Sequence, residues 1–168
     1  MEKAGHPVTS HNTAPFFAML THPVKFRLYL LKNIPSAFFS GLKVVHASEK
    51  ECCVSVPFKW FTQNPFRSTY FACLSMAAEL STGALAMANI YGRKPSVSML
   101  VTGMEARYHK KAKGQTYFRC QDGEGIAQAI ETAISTSTGQ DIKVYSRGTN
   151  KEGELVSEFW FTWSFKLR

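Results

Sequence analysis

The sequence predicts an α+β domain in which one long apolar helix is wrapped by a curved antiparallel sheet. Three observations carry that reading. Ser68 to Tyr91 (STYFACLSMAAELSTGALAMANIY) is dominated by Ala, Leu and Met with Glu79 as its single charge, so the helix it favours is apolar nearly all round and belongs inside the molecule. Two segments before it and four after it are short, rich in Val and aromatics, and divided by polar or Gly-containing turns, the pattern of strands. The composition, 168 residues with 45% hydrophobic and 19% charged, suits one core and is too short for two full domains.

Residues 1–12 (MEKAGHPVTSHN) read as a frayed terminus. Pro15 to Leu31 (PFFAMLTHPVKFRLYLL) is apolar and helical in pattern, interrupted or kinked at His22-Pro23 because proline lacks the donor a helix interior needs. Residues 1–37 are thus a tail and covering helix, and 38–168 a single domain. Within it, FFSGLKVVHAS (38–48) and ECCVSVPFKW (51–60) read as two strands of a hairpin turning at Glu49-Lys50. Asn64-Pro65 then offers a helix start, with Asn64 as cap and Pro65 as first helical residue, and Ser68 and Thr69 as further caps. A membrane span competes for Ser68–Tyr91 by length. Glu79, the run Ser81-Thr82-Gly83 and Asn89 all oppose it.

After the long helix, Ser96–Lys111, Gly114–Gln121, Asp141–Thr149 and Glu154–Arg168 read as strands whose short connections make them antiparallel. The last alternates, with Phe159, Phe161, Trp163, Phe165 and Leu167 on one face and Trp160, Thr162, Ser164 and Lys166 on the other. Between the middle two strands, Glu124–Ser137 places Ile126, Ala129, Ile130, Ala133 and Ile134 at helical spacing, a short amphipathic helix stopped by Gly139.

The 20 Lys and Arg against 12 Asp and Glu give a net charge of +8. Such a surface fits phosphorylated small molecules, nucleic acid, an acidic membrane surface, or no partner at all and only the solubility of the chain. Nucleic acid ranks last, because the chain carries no recognisable reader motif. The cysteines Cys52, Cys53, Cys73 and Cys120 include no C-x-x-C, which favours a reducing cytoplasm. No cleavable secretory signal is expected, since the start of the chain holds prolines, histidines and polar residues instead of an apolar run. His6, His11, His22, His46 and His109 lie at no metal-ligand spacing, so no metal is expected. The absence of G-x-S-x-G, G-x-x-x-x-G-K and G-x-G-x-x-G sets aside serine hydrolase, nucleotide hydrolase and dehydrogenase chemistry.

A long helix with two strands before it and the remaining strands after it resembles the hot-dog fold of acyl-CoA thioesterases and dehydratases, with an extra N-terminal helix and an inserted short one. The resemblance covers about Phe38 to Arg168. Thioesterases of the phenylacetyl-CoA type carry an Asn, a His-Gly-Gly six residues on, and an Asp or Glu nine residues after that His. Here Asn64 and Glu79 match in type and spacing, and Tyr70-Phe71-Ala72 stand in place of His-Gly-Gly. The block NPFRSTYFACLSMAAELSTG with ARYHKKAKG is similar to an uncharacterised group of this superfamily, known mainly as a domain of unknown function.

Thioester hydrolysis needs an oxygen nucleophile, supplied by a carboxylate or by water that a carboxylate deprotonates, and amides that hold the oxyanion. Glu79, the only acid in the apolar helix, is the candidate base or nucleophile, and burial would raise its pKa toward neutrality. Its other reading is a structural acid reaching a polar neighbour. The resemblance implies the backbone amide of Phe71 as oxyanion donor, with the Tyr70 hydroxyl and Asn64 as supporting groups and Ala72 beside the substrate. It places coenzyme A phosphates near the basic strand end formed by Arg107, Lys110, Lys111 and Lys113, which is equally readable as a solvated turn. It implies a homodimer or tetramer in which the acid of one subunit faces the helix N-terminus of the other, acting on an acyl-CoA or other acyl thioester. Coenzyme A enters as part of the substrate, no separate cofactor is implied, and nothing inserts into a membrane. A non-catalytic acyl-CoA or fatty-acyl binding protein, its pocket closed by Phe71 and the Phe16-Phe17 helix, is the alternative.

Overall fold

A computed structural model describes residues 11–168, so the first ten of the twelve residues expected to form a frayed terminus lie outside the described residues. Helices α1 (Ala14–Thr21) and α2 (Pro23–Asn33) meet at the expected break. His22 builds the junction: its Nδ1 accepts from the amides of Val24 and Lys25 at 3.3 and 3.4 Å, and Pro23 takes the first position of α2, where a missing N–H costs nothing. The strand expected from Phe38 is overturned. Phe38, Phe39 and Ser40 belong to α3 (Pro35–Ser40), started by Pro35 and ended by Gly41 in a left-handed conformation, φ 76°. The strand is only β1 (Lys43–Ala47), which pairs with β2 (Cys52–Val56).

A single turn of 3-10 helix, Trp60–Thr62, leads toward the long helix α4 (Phe71–Ile90). Neither Asn64, Ser68 nor Thr69 caps it. Asn64 Oδ1 instead accepts from the amides of Phe66 and Ser68 at 3.0 and 3.3 Å and from the Ser68 hydroxyl at 3.2 Å, closing a side-chain turn upstream. Thr69 donates its amide and hydroxyl to the Ala112 carbonyl at 2.8 and 3.2 Å. Tyr70 occupies the cap position without a side-chain bond. The chain continues through β3 (Val97–Tyr108), β4 (Thr116–Cys120), α5 (Gly123–Thr136), β5 (Gln140–Thr149) and β6 (Leu155–Leu167). Helix α5 ends at Ser137 with φ 54°, ahead of the expected stop at Gly139.

The six strands form one antiparallel sheet in the order β1-β2-β4-β5-β6-β3. Helix α4 packs against β2, β3, β4, β5 and β6, a hot-dog architecture, while α5 closes one end through buried Ile126, Ile130 and Ala133. The alternation of β6 holds: Phe159, Phe161, Trp163 and Phe165 are buried, and Lys166 is exposed. The hydroxyls of Ser81 and Thr82 on α4 are satisfied within the core. Ser81 Oγ lies 2.8 Å from Ser146 Oγ, and Trp163 Nε1–H donates to Thr82 Oγ1 at 3.0 Å, which donates to the Glu79 carbonyl at 2.9 Å. Although α4 is long and apolar enough to cross a membrane, 67% of its most apolar stretch is buried in this fold. All four cysteines are free and buried, Cys52 faces Cys120 across β2 and β4, and burial pushes the Cys120 thiol up to about 12.

Gly148 of β5 shows how closely the sheet is packed. A Cβ there would lie 2.5 Å from Phe118 Cε1 and 2.8 Å from Ser157 Oγ, and Phe118 is held edge-on against Phe159 with centroids 5.6 Å apart. Gly148→Ala is expected to destabilise the fold by about 2 kcal/mol through overpacking, read as a fall in the urea midpoint. An unchanged midpoint would mean that Phe118 can move aside.

Candidate active site

Glu79 sits in the third turn of α4, half-buried among apolar side chains. It borders a hollow of about 90 Å³ roofed by Phe16 and Leu20 of α1 and Phe26 and Tyr29 of α2, with Met99 of β3 at its side. Gly83, one turn on, leaves the carboxylate its room: a Cβ there would stand 2.9 Å from Glu79 Oε1 and 3.2 Å from the Trp163 ring. Burial alone pushes the Glu79 carboxyl up to about 7, and no described residue donates a hydrogen bond to it. An acid with that pKa is ionised in about half the molecules at neutral pH and is as strong a base as a carboxylate can be while staying charged.

The N-terminus of α4 opens on a different hollow. Asn64, Tyr70 and Phe71 line a groove of about 550 Å³ together with Tyr108, Lys110 and Lys111. The rings of Tyr70 and Phe71 meet edge-on with centroids 4.9 Å apart, and both are exposed. The Tyr70 carbonyl takes the amides of Cys73 and Leu74 at 2.9 and 3.3 Å. Among the described residues nothing accepts from the amides of Phe71 and Ala72, so two N–H groups at the positive end of the helix dipole remain for a ligand. Asn64 reaches the groove edge with its Oδ1 engaged in the turn described above, which leaves its amide NH2 as the group it can offer.

The remaining predicted residues divide. Lys110, Lys111 and Lys113 line an adjoining groove of about 550 Å³ that shares the Lys110–Ala112 wall, and Lys110 Nζ is paired with Glu154 at 2.9 Å. Arg107 lies apart, on the outer face of the sheet, with its guanidinium 5.3 Å from the Trp160 ring. Ala72 is half-buried and lines neither groove. Among the described residues no cluster of His, Cys, Asp and Glu could hold a metal ion.

Glu79 and the amide of Phe71 are eight residues apart on one helix, about 12 Å along its axis, and they open on separate hollows. One chain therefore presents an acid and an oxyanion-type donor that cannot meet on one small reacting group. Sequence reasoning missed the supports around Glu79. The Gly four residues after the acid was a readable local signal, because that position stacks over the same helix face. The Trp163–Thr82 bond, made across 81 residues of chain, left no local trace.

A family model for a domain of unknown function (DUF4442) matches residues 30–165. Comparison with curated proteins gives no significant match. Among solved structures, a Pseudomonas aeruginosa protein of unknown function, described as a probable thioesterase, is similar with a TM-score of 0.73 and 22% identity, covering 89% of this chain and 99% of that one. A Chlorobaculum tepidum protein of unknown function gives a TM-score of 0.72 at 15% identity, covering 90% and 99%. A Haemophilus influenzae thioesterase gives 0.59 at 12% identity, covering 83% and 88%. At these identities the likeness is one of fold.

Proposed function

The chain belongs to the DUF4442 family, and from that premise we propose that it is a cytoplasmic thioester hydrolase acting on an acyl-CoA or related acyl thioester as a homodimer. The observation that carries the reading is the Glu79 carboxylate, alone in an apolar hollow and raised to about 7 by burial. In this scheme Glu79 takes a proton from water, and the oxygen attacks the thioester carbonyl. The amides of Phe71 and Ala72 receive the developing oxyanion, aided by Tyr70 and Asn64. The C–S bond then breaks, the departing sulfur takes the proton that Glu79 had accepted, and the thiol and a carboxylic acid are released. Direct attack by the carboxylate, through an anhydride that water opens, gives the same products.

The separation of the acid from the helix N-terminus supports a shared site. Strand β3 forms an edge of the sheet, and Met104 and Tyr108, which point to its helix side, are exposed. A second copy pairing there would bring its own acid toward the first copy's groove. The lysines at the groove then hold the phosphates of the nucleotide portion. Replacing Lys110, Lys111 and Lys113 together with Ala is expected to raise KM for a coenzyme A thioester about ten-fold at low salt. KM for the matching pantetheine thioester, which lacks the nucleotide, should not move. Equal effects on both would place the phosphates elsewhere.

The test of the activity is release of free thiol from a panel of acyl-CoAs, with sedimentation velocity to fix the oligomer. Turnover by a dimer supports the proposal. Turnover by a strict monomer removes the shared site, and the absence of turnover across the panel removes the hydrolase. One observation favours a second reading, a non-catalytic acyl binder: the hollow beside Glu79 is roofed by Phe16, Leu20 and Phe26. Tight binding of acyl-CoA without thiol release would select it.

A further inference from the structure

Helix α2 has an anomalous outer face. Its inner face, Phe26 and Leu30, is buried, and a helix that covers a core ordinarily turns polar residues outward. Here Val24, Leu28 and Leu31, spaced as one helical stripe, are 60%, 61% and 44% exposed. Lys25 and Lys32 flank the stripe on one side and Arg27 on the other. The apolar surface continues off the helix. The Arg27 guanidinium lies 4.2 Å over the Phe38 ring, Phe38 meets Phe39 edge-on at 5.3 Å, and Phe39 stands 6.0 Å from Phe61. Phe39 and Phe61 are exposed, and Trp60, beside Phe61, is 83% exposed with Lys59 next to it.

Charge decides what can cover this surface. Residues 11–48 contain Lys25, Arg27, Lys32 and Lys43 and no acid at all. A second copy applied symmetrically would set these cations against their own kind, which is destabilising. An occupant that is both apolar and anionic meets every feature. From this combination we infer that the outer face of α2, with the Trp60–Phe61 turn, docks on the surface of an anionic lipid bilayer. The helix lies in the interface and does not span it. Val24, Leu28 and Leu31 enter the acyl boundary, Trp60 sits at headgroup level, and Lys25, Lys32, Arg27 and Lys59 meet the lipid charges. The inference stands apart from the proposed hydrolase, because it uses none of the groups around Glu79 or the α4 N-terminus, and it is measured without substrate.

The test is co-sedimentation of the full chain with vesicles of phosphatidylcholine, with and without phosphatidylserine, at low and high salt. Binding is expected to the serine-containing vesicles only, to fall as salt rises, and to be accompanied by a blue shift of tryptophan emission that Trp60→Phe removes. Lys25→Ala with Lys32→Ala should weaken it about 30-fold, a factor near five per charge. Leu28→Ser should weaken it while the circular dichroism spectrum stays unchanged, since that side chain is outside the core. Failure to bind serine-containing vesicles at low salt overturns the inference, as does binding that neither variant weakens or binding equal on both vesicle types. If Leu28→Glu splits a dimer in the absence of lipid, the face is a self-interface and the inference is likewise lost.

Discussion

Glu79→Gln is expected to remove thioester turnover, by about 10³-fold, and at the same time to make the protein more stable above neutral pH. Both effects have one cause. The carboxyl is held at about 7, against 4.5 for an ordinary glutamate, because burial penalises its charge. As a base it works when ionised, so kcat/KM in the wild type should climb with pH to an inflection near 7 and then level off. The stability effect has the opposite sense. Between pH 4.5 and about 7 the folded chain keeps a proton that the unfolded chain has lost, so stability falls as pH rises through that window. The cost is complete by about pH 8 and amounts to about 3 kcal/mol, at 1.36 kcal/mol per unit. Gln is neutral at every pH and escapes it. The gap in unfolding free energy between Glu79→Gln and wild type should therefore be near zero at about pH 4 and widen to its full value at about pH 8, read by urea titration at each pH. A gap of constant size would show that the carboxylate is solvated, and a gap that reverses as pH rises would show that it is paired. Turnover surviving the change would take Glu79 out of the chemistry.

What could be read from the sequence follows from how local each cause is. Helix α4 was legible because its composition is apolar around the whole circumference, and β6 because its alternation is unbroken from Phe159 to Leu167. Glu79 was legible as the lone acid in that helix. Phe38 and Phe39 misled because aromatics favour strands, whereas Pro35 and Gly41 punctuate a helix there, and punctuation outranked propensity. Asn64 misled because asparagine serves helix caps and side-chain turns through the same acceptor, and only the distance to Phe71 separates them. Arg107 was grouped with Lys110, Lys111 and Lys113 by closeness in sequence, and a bulge decides which face it takes. Val97, Met99 and Val101 face the core, but the register slips between Val101 and Gly103, after which Met104, Ala106 and Tyr108 take that face. Counting by twos from Val97 would turn Arg107 inward, and the bulge turns it out over Trp160. The sequence offered the Phe16-Phe17 helix as a cover, but that Phe16, Leu20, Phe26 and Tyr29 meet over Glu79 is set by tertiary packing, which no local pattern carries.

Gly83→Ala should separate the position of the acid from its presence. A methyl group at 83 would stand 2.9 Å from Glu79 Oε1 and 3.2 Å from the Trp163 ring. The two neighbours respond differently. Trp163 is fixed, buried on β6 and tied through Nε1 to Thr82 at 3.0 Å, so it yields only a few tenths of an ångström. The carboxylate is the free end of a flexible side chain and rotates away. A general base displaced by about 1 Å loses about 10²-fold in rate even when its pKa is unchanged. The fold should lose little, because exchanging Gly for Ala inside a helix contributes about 0.5–1 kcal/mol, which offsets the tight contact with Trp163. The expected result is a kcat lower by about two orders of magnitude with the pH inflection still near 7 and the urea midpoint close to wild type. Glu79→Gln, by contrast, loses the inflection altogether. If Gly83→Ala left kcat intact, the carboxylate would have to act from another rotamer, one that does not face the hollow beneath Phe16 and Phe26.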